Sequence, residues 1–199
     1  MKRFLAVILA VALVAVTGCS KVDSAATVGD REIALSDLQS QVDLILKERE
    51  GVDTTQMQLE DGEALTRSQL SYMISNAIIE DVAKDEKIEI SASEIEAYKI
   101  EIYTNIGGEA NLPNVLVSAA IPSTSLDDVL RRDLVLRKLT EQQSAAGADE
   151  TTINTFIQKL VTDKAKALKV TVNPRYGKWD ESTLTVVAAE ASGDAVTDK

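Results

Sequence analysis

The chain has 199 residues, 45% of them hydrophobic, which is enough for one domain with a buried core. It contains no histidine and a single cysteine, which excludes histidine-based catalytic triads, histidine-ligated zinc, an intramolecular disulfide and a CxxC redox pair. With 32 acidic against 21 basic side chains and a net charge of -11, the balance argues against a nucleic-acid binder, which needs a basic face.

Lys2 and Arg3 precede an uncharged apolar run over residues 4–16. A membrane-spanning helix needs about 20 such residues, so the run reads as the core of a signal peptide. It ends in Val16-Thr17-Gly18-Cys19, which resembles the lipobox of bacterial lipoproteins. That resemblance implies cleavage before Cys19, a diacylglycerol on its thiol and an acyl chain such as palmitate on its freed amine. Two or three acyl chains give stable anchoring where one gives only marginal binding. The expected partition is a signal peptide over 1–18, a linker over 19–24, a folded domain over 25–180 and a disordered, small-residue tail over 181–199.

Within the domain, residues 26–28 and 31–33 read as two short strands around Gly29-Asp30, where Gly29 supplies the positive φ of a tight turn. Ser36 is placed to cap a helix whose Leu38, Val42, Ile45 and Leu46 recur at helical spacing. The periodicity fails over 49–65, predicting a mobile loop. The longest helix is expected over 66–87, with Leu70, Met73, Ile74, Ala77, Ile78 and Val82 on one face. Ser91 and Glu94 have capping-box spacing ahead of Ile95, Tyr98, Ile102 and Ile106, and Gly107-Gly108 ends that helix. A short helix is expected over 112–121, between Pro113 and Pro122. Ser125 and Asp128 repeat the capping-box spacing before Leu126, Val129, Leu130, Leu134 and Leu139. A polar hinge over 142–149 leads to a last helix carrying Ile153, Phe156, Ile157, Leu160, Val161 and Leu168, whose closing lysines suit the helix dipole. Residues 170–172 alternate like a strand, and within the tail residues 184–187 have the composition of a weak one. The expected fold is mainly α, a helical domain with a small β element formed by the N-terminal hairpin and the C-terminal strand.

The order of these parts resembles the SurA/PrsA-type extracytoplasmic foldases, in the portion called the SurA N-terminal chaperone domain. The motifs that carry the resemblance are Val28-Gly29-Asp30-Arg31-Glu32-Ile33, the passage from Ile79-Glu80-Asp81-Val82-Ala83-Lys84 to Ile88-Glu89-Ile90-Ser91, the stretch 121–139, and the closing Val170 to Trp179 segment, which is similar to that of lipoprotein members. The likeness runs over about 25–180. Fuller members insert a parvulin prolyl-isomerase domain between the last two long helices, where this chain has only the 142–149 hinge. The resemblance therefore implies a chaperone module without an isomerase, and no enzyme.

Several side chains carry a functional reading beside a plainer one. Met57, Leu59 and Met73 are candidates for an adaptable client-binding groove, because thioethers repack around varied partners; as structure they are one loop residue and two core fillers. Tyr98 and Tyr103 share a helix and are candidates for stacking on extended peptides, or are ordinary boundary residues. Glu48, Glu50, Asp53, Glu60, Asp61 and Glu63 either attract a cation or basic client segments, or form a solvated acidic loop; they lack the ligand order of an EF-hand. Asp127 and Asp128 suit a helix start. Trp179 with Tyr176 is expected to clamp the closing strand onto the helices. The sequence thus points to an extracytoplasmic, membrane-anchored lipoprotein that holds unfolded or nascent secreted proteins without ATP, cofactor or metal. A lipoprotein docking one specific envelope partner is the alternative, and a prolyl isomerase a more distant one.

Overall fold

The computed structural model describes residues 23–189. The signal-peptide and lipidation motifs, Cys19 included, lie outside the described residues. So does the end of the expected tail, from 190 on.

The first two strands, β1 (Ser24–Val28) and β2 (Arg31–Ala34), form an antiparallel hairpin around Gly29, whose φ is +60°. The Gly29 N–H donates to the Leu168 carbonyl at 2.7 Å, so the hairpin tip satisfies one of the orphan carbonyls at the end of a distant helix. β2 runs directly into α1 (Leu35–Arg49), which buries Leu38, Val42 and Ile45. Ser36 does not cap α1: Ala34 holds the capping position in extended conformation, and the Leu35 N–H donates to the Asp23 carbonyl at 2.8 Å. A backbone carbonyl just ahead of β1 thus satisfies the first N–H of the helix, with no capping hydroxyl.

The connecting loop is shorter than the periodicity predicted. It covers 50–61, and α2 (Gly62–Asp85) begins a full turn early because Leu65, fully buried, belongs to the apolar stripe that continues through Leu70, Ile74, Ile78 and Val82. α2 is the central element, packed against α1, β1 and the two long helices that follow later in the chain. α3 (Ala92–Asn105) opens with the expected capping box: the Glu94 N–H donates to Ser91 Oγ, and the Ser91 N–H donates to the Glu94 carboxylate. Gly107 and Gly108 follow it with positive φ. A 3-10 turn over 109–111 leads to α4 (Leu112–Ser118) with Pro113 in its first turn, where a missing N–H is harmless.

α5 (Leu126–Ala145) has no capping box either. The Ser125 hydroxyl is buried and donates instead to Gln41 Oε1 of α1 at 2.9 Å, tying the two helices together. The helix also absorbs half of the expected hinge, since Gln142, Gln143 and Ser144 are compatible with helix, leaving only 146–149 as the turn. α6 (Glu150–Leu168) starts at Asp149, whose carboxylate accepts from the Thr152 N–H at 2.8 Å. It returns along α2 and α5.

β3 (Thr171–Val172) pairs antiparallel with β1, so the N-terminal hairpin and the strand after α6 meet in one sheet of order β2-β1-β3. The mainly helical fold with a small terminal β element is therefore as expected. One correction concerns the tail: residues 181–189 are ordered structure. β4 (Lys178–Asp180) and β5 (Thr185–Val187) form a second hairpin, in which Val186 is buried and its N–H donates to Ser71 Oγ of α2 at 2.8 Å. Trp179 and Tyr176 pack against the main core beside it, as the clamp reading required.

Candidate functional site

Among the described residues the apolar interior falls into three groups, and their seams define the surface clefts. The largest joins β1, β2, α1 and the first half of α2. A second lies between the end of α2 and the middle of α5, around Val82, Ile88 and Leu139. A third, around Ile95, Leu130 and Leu134, fastens α3 to α5. α3 is further tied to α5 by ion pairs at its rim, Lys99 to Asp127 at 2.7 Å and Lys138 to Glu94 at 2.6 Å. Lys138 and the capping box together hold the Glu94 carboxyl down at about 2.

Two clefts open along the α2–α5 seam, and Arg132 lines both. The first has a volume of 360 Å³. Its floor is apolar, made by Ile79, Ala83, Ile88, Ile90 and Val135, while Asn76, Glu80, Lys84, Asp128 and Arg131 stand around the mouth. Arg131 is pinned by donating to the Ile90 carbonyl at 3.1 Å, and Glu80 is held by Arg31 at 2.7 Å. Asp128 occupies the first turn of α5, where the helix dipole favours its charge, yet burial, with Glu80 adding to it, raises its pKa above the usual carboxylate value.

The second cleft, of 300 Å³, lies between α2 and the 119–122 turn that precedes α5. Ala119, Ala120, Ile121, Pro122 and Val129 give it apolar walls; Gln69 and Tyr72 reach it from α2, and Glu60 from the 50–61 loop. The Arg132 guanidinium lies over the Tyr72 ring, 5.3 Å from its centroid. Burial pushes the Tyr72 hydroxyl up to about 12, so it stays protonated throughout the physiological range.

The five residues singled out for client binding are not gathered at one place. Met73 packs against the main core. Tyr98 packs in the α3–α5 group, and the Arg137 guanidinium covers its ring at 4.5 Å. Tyr103, also on α3, is half-buried; Met57 and Leu59 are half-buried in the loop that contributes Glu60 to the second cleft. None of the five lines either cleft. What the sequence reading missed is Gln69, Tyr72, Arg132 and Val135. The one signal for them was a polar side chain, Gln69, at the spacing of the apolar stripe of α2, four residues after Leu65.

Among the described residues no group of three or more histidine, cysteine, aspartate or glutamate side chains is placed to hold a metal ion. No helix among them is long and apolar enough to cross a membrane. α5 and α6 are joined by the 146–149 turn alone, where fuller members of the resembled family carry an isomerase. In comparisons with known proteins, a family model described as SurA-like N-terminal domain matches residues 1–140. No parvulin model matches. No curated protein and no solved structure matches the chain.

Proposed function

Because the chain belongs to the family of SurA-like N-terminal domains, we propose that it is an ATP-independent holdase for unfolded secreted or envelope proteins. That domain is the non-catalytic chaperone part of its family. The observation that carries the proposal is the first α2–α5 cleft, an apolar floor ringed by fixed charges. Unfolded chains expose apolar segments that aggregate, and a shallow apolar floor holds such a segment weakly. The charged mouth and the chain's excess of acidic over basic side chains keep the loaded protein soluble. Release then follows from the client's own folding, which withdraws the apolar segment, and needs no nucleotide.

The same proposal places the protein outside the cytoplasmic membrane. Residues 1–18 act as its signal peptide, Cys19 carries the lipid, and 19–24 tether the domain that follows. Met57 and Leu59, beside Glu60, extend the client surface at the loop side of the seam.

A photo-crosslinking amino acid at Lys84, on the mouth of the first cleft, tests the reading in cells. A holdase gives a broad set of crosslinked secreted proteins that grows when secretion is driven hard. A single strong adduct instead marks a dedicated docking protein and overturns the holdase reading.

A further inference from the structure

Resting on the chaperone reading above, we propose that the second cleft reads the main chain of an extended client segment, with Gln69 Oε1 accepting a backbone N–H and the Tyr72 hydroxyl donating to a backbone carbonyl. Gln69 is only 4% exposed, and its amide is oriented by one bond, Nε2 donating to the Ala120 carbonyl at 2.8 Å. A carbonyl only accepts, so the amide cannot turn over and Oε1 is left as the free atom. Gln69 Oε1 and the Tyr72 hydroxyl are both buried without a hydrogen-bond partner among the described residues. Buried polar atoms are ordinarily paired, because leaving one unpaired forfeits its hydration for nothing. Here two unpaired atoms belong to residues lining one cleft, three positions apart on α2 and so on the same face of the helix.

The missing partners identify the ligand class. Gln69 Oε1 lacks a donor, the Tyr72 hydroxyl lacks an acceptor, and a peptide backbone carries both side by side, as the edge of a neighbouring strand does. A free ion fits less well, since Arg132 and Glu60 line the cleft together and their charges oppose. The walls from Ile121 and Pro122 are apolar, which suits a small side chain next to the bonded peptide groups. Both polar atoms are shut off from solvent in the free chain, so binding requires part of the lining to move; in this proposal that part is the Arg132 side chain, which lies over the Tyr72 ring. Main-chain recognition is indifferent to sequence, which is what a holdase with many clients requires.

The decisive variant is Tyr72→Phe in the full chain, because it removes a hydroxyl that has no partner among the described residues and leaves the ring beneath Arg132. Its melting temperature should equal or exceed that of the wild type. The probe is a labelled, end-capped Ala- and Ser-rich peptide with one Val, read by fluorescence anisotropy beside analogues N-methylated at one backbone position each. Tyr72→Phe should weaken peptide binding about fivefold, the worth of one hydrogen bond, and N-methylation at one position should weaken the wild type by a similar factor. If the wild type binds the peptide while the variant and every N-methylated analogue bind as tightly, the inference is overturned and the chaperone reading stands on another surface. If the wild type binds no peptide and protects no unfolded protein, both fall. A crystal structure with peptide bound elsewhere and only ordered water between Gln69 and Tyr72 also overturns it.

Discussion

Gly177 sits at the entrance to the β4–β5 hairpin with φ +121°, a conformation that side-chain-bearing residues rarely adopt. A Cβ placed there would stand 2.0 Å from the Val187 carbonyl oxygen and 3.0 Å from its carbon. Those are backbone atoms of the partner strand, so no side chain can rotate away to relieve the clash. Gly177→Ala therefore leaves the chain two choices. It keeps the hairpin and bears a backbone strain of about 1–3 kcal/mol, with the strand pushed outward. Otherwise it releases β5, losing the buried Val186 side chain, worth about 1.5–3 kcal/mol, together with the bond from its N–H to Ser71. The cheaper route sets the loss, roughly 2 kcal/mol either way. With a urea dependence of about 1–3 kcal/mol/M for a protein of this size, the midpoint should fall by about 1 M. Far-UV circular dichroism reports the whole domain, and Trp179, the one tryptophan in the chain and paired with Val186 in the hairpin, reports the site. Gly147→Ala is the control: Gly147 has φ +88°, but a Cβ there would meet nothing within 4 Å among the described residues, so the variant keeps the conformational penalty without the clash. Equal midpoints for Gly177→Ala and the wild type would refute the reasoning, and with it the claim that residues beyond 180 complete the fold.

Three further outcomes follow from the same geometry. Lys138 and the capping box hold Glu94 at about 2, below its ordinary 4.5, so its contribution to stability is complete above that ordinary value and is lost as pH falls towards 2; Glu94→Gln should flatten that part of the melting-temperature profile and leave the neutral limb merely lower. Asp128 is shifted the other way, by burial first, so its ionisation opposes folding, the penalty growing as pH rises from its unfolded pKa through its folded one; Asp128→Asn should melt higher than the wild type at neutral pH and converge with it in acid, and a lower melting temperature at neutral pH would show that the charge is needed at the start of α5. Cys19→Ser should remove the lipid, seen as loss of the acyl mass and movement from the membrane to the soluble fraction; unchanged membrane association would sink the lipidation proposal.

The helical frame was legible because α2, α5 and α6 repeat apolar residues at helical spacing, and tertiary packing uses those same stripes. The Ser91–Glu94 box was legible because both partners are local. Ser36 and Ser125 carry the same letters, but their roles are decided elsewhere in the chain: β2 feeds α1 directly, and Gln41 captures the Ser125 hydroxyl. β5 was only faintly visible, since a three-residue strand gains its stability from contact with α2 rather than from its own composition. The clefts were not legible at all. They arise where α2 and α5 pack together, from residues such as Ile79, Val135 and Tyr72 that no motif or spacing in the sequence singles out as a site. Met73 and Tyr98, chosen for their chemistry, are partly buried, one against the main core and the other in the α3–α5 group. Gln69 is the exception, a polar side chain in an apolar stripe that announced something unusual without saying what.

The central claim, that this is a holdase, is tested most directly by light scattering from a reduced, unfolded client as it aggregates in the presence of the purified protein without nucleotide. The account predicts suppression near equimolar ratio, weakened by an apolar competitor peptide and by Val135→Asp at the floor of the first cleft, provided that variant retains its helical signal. Unchanged aggregation with the protein folded would contradict it.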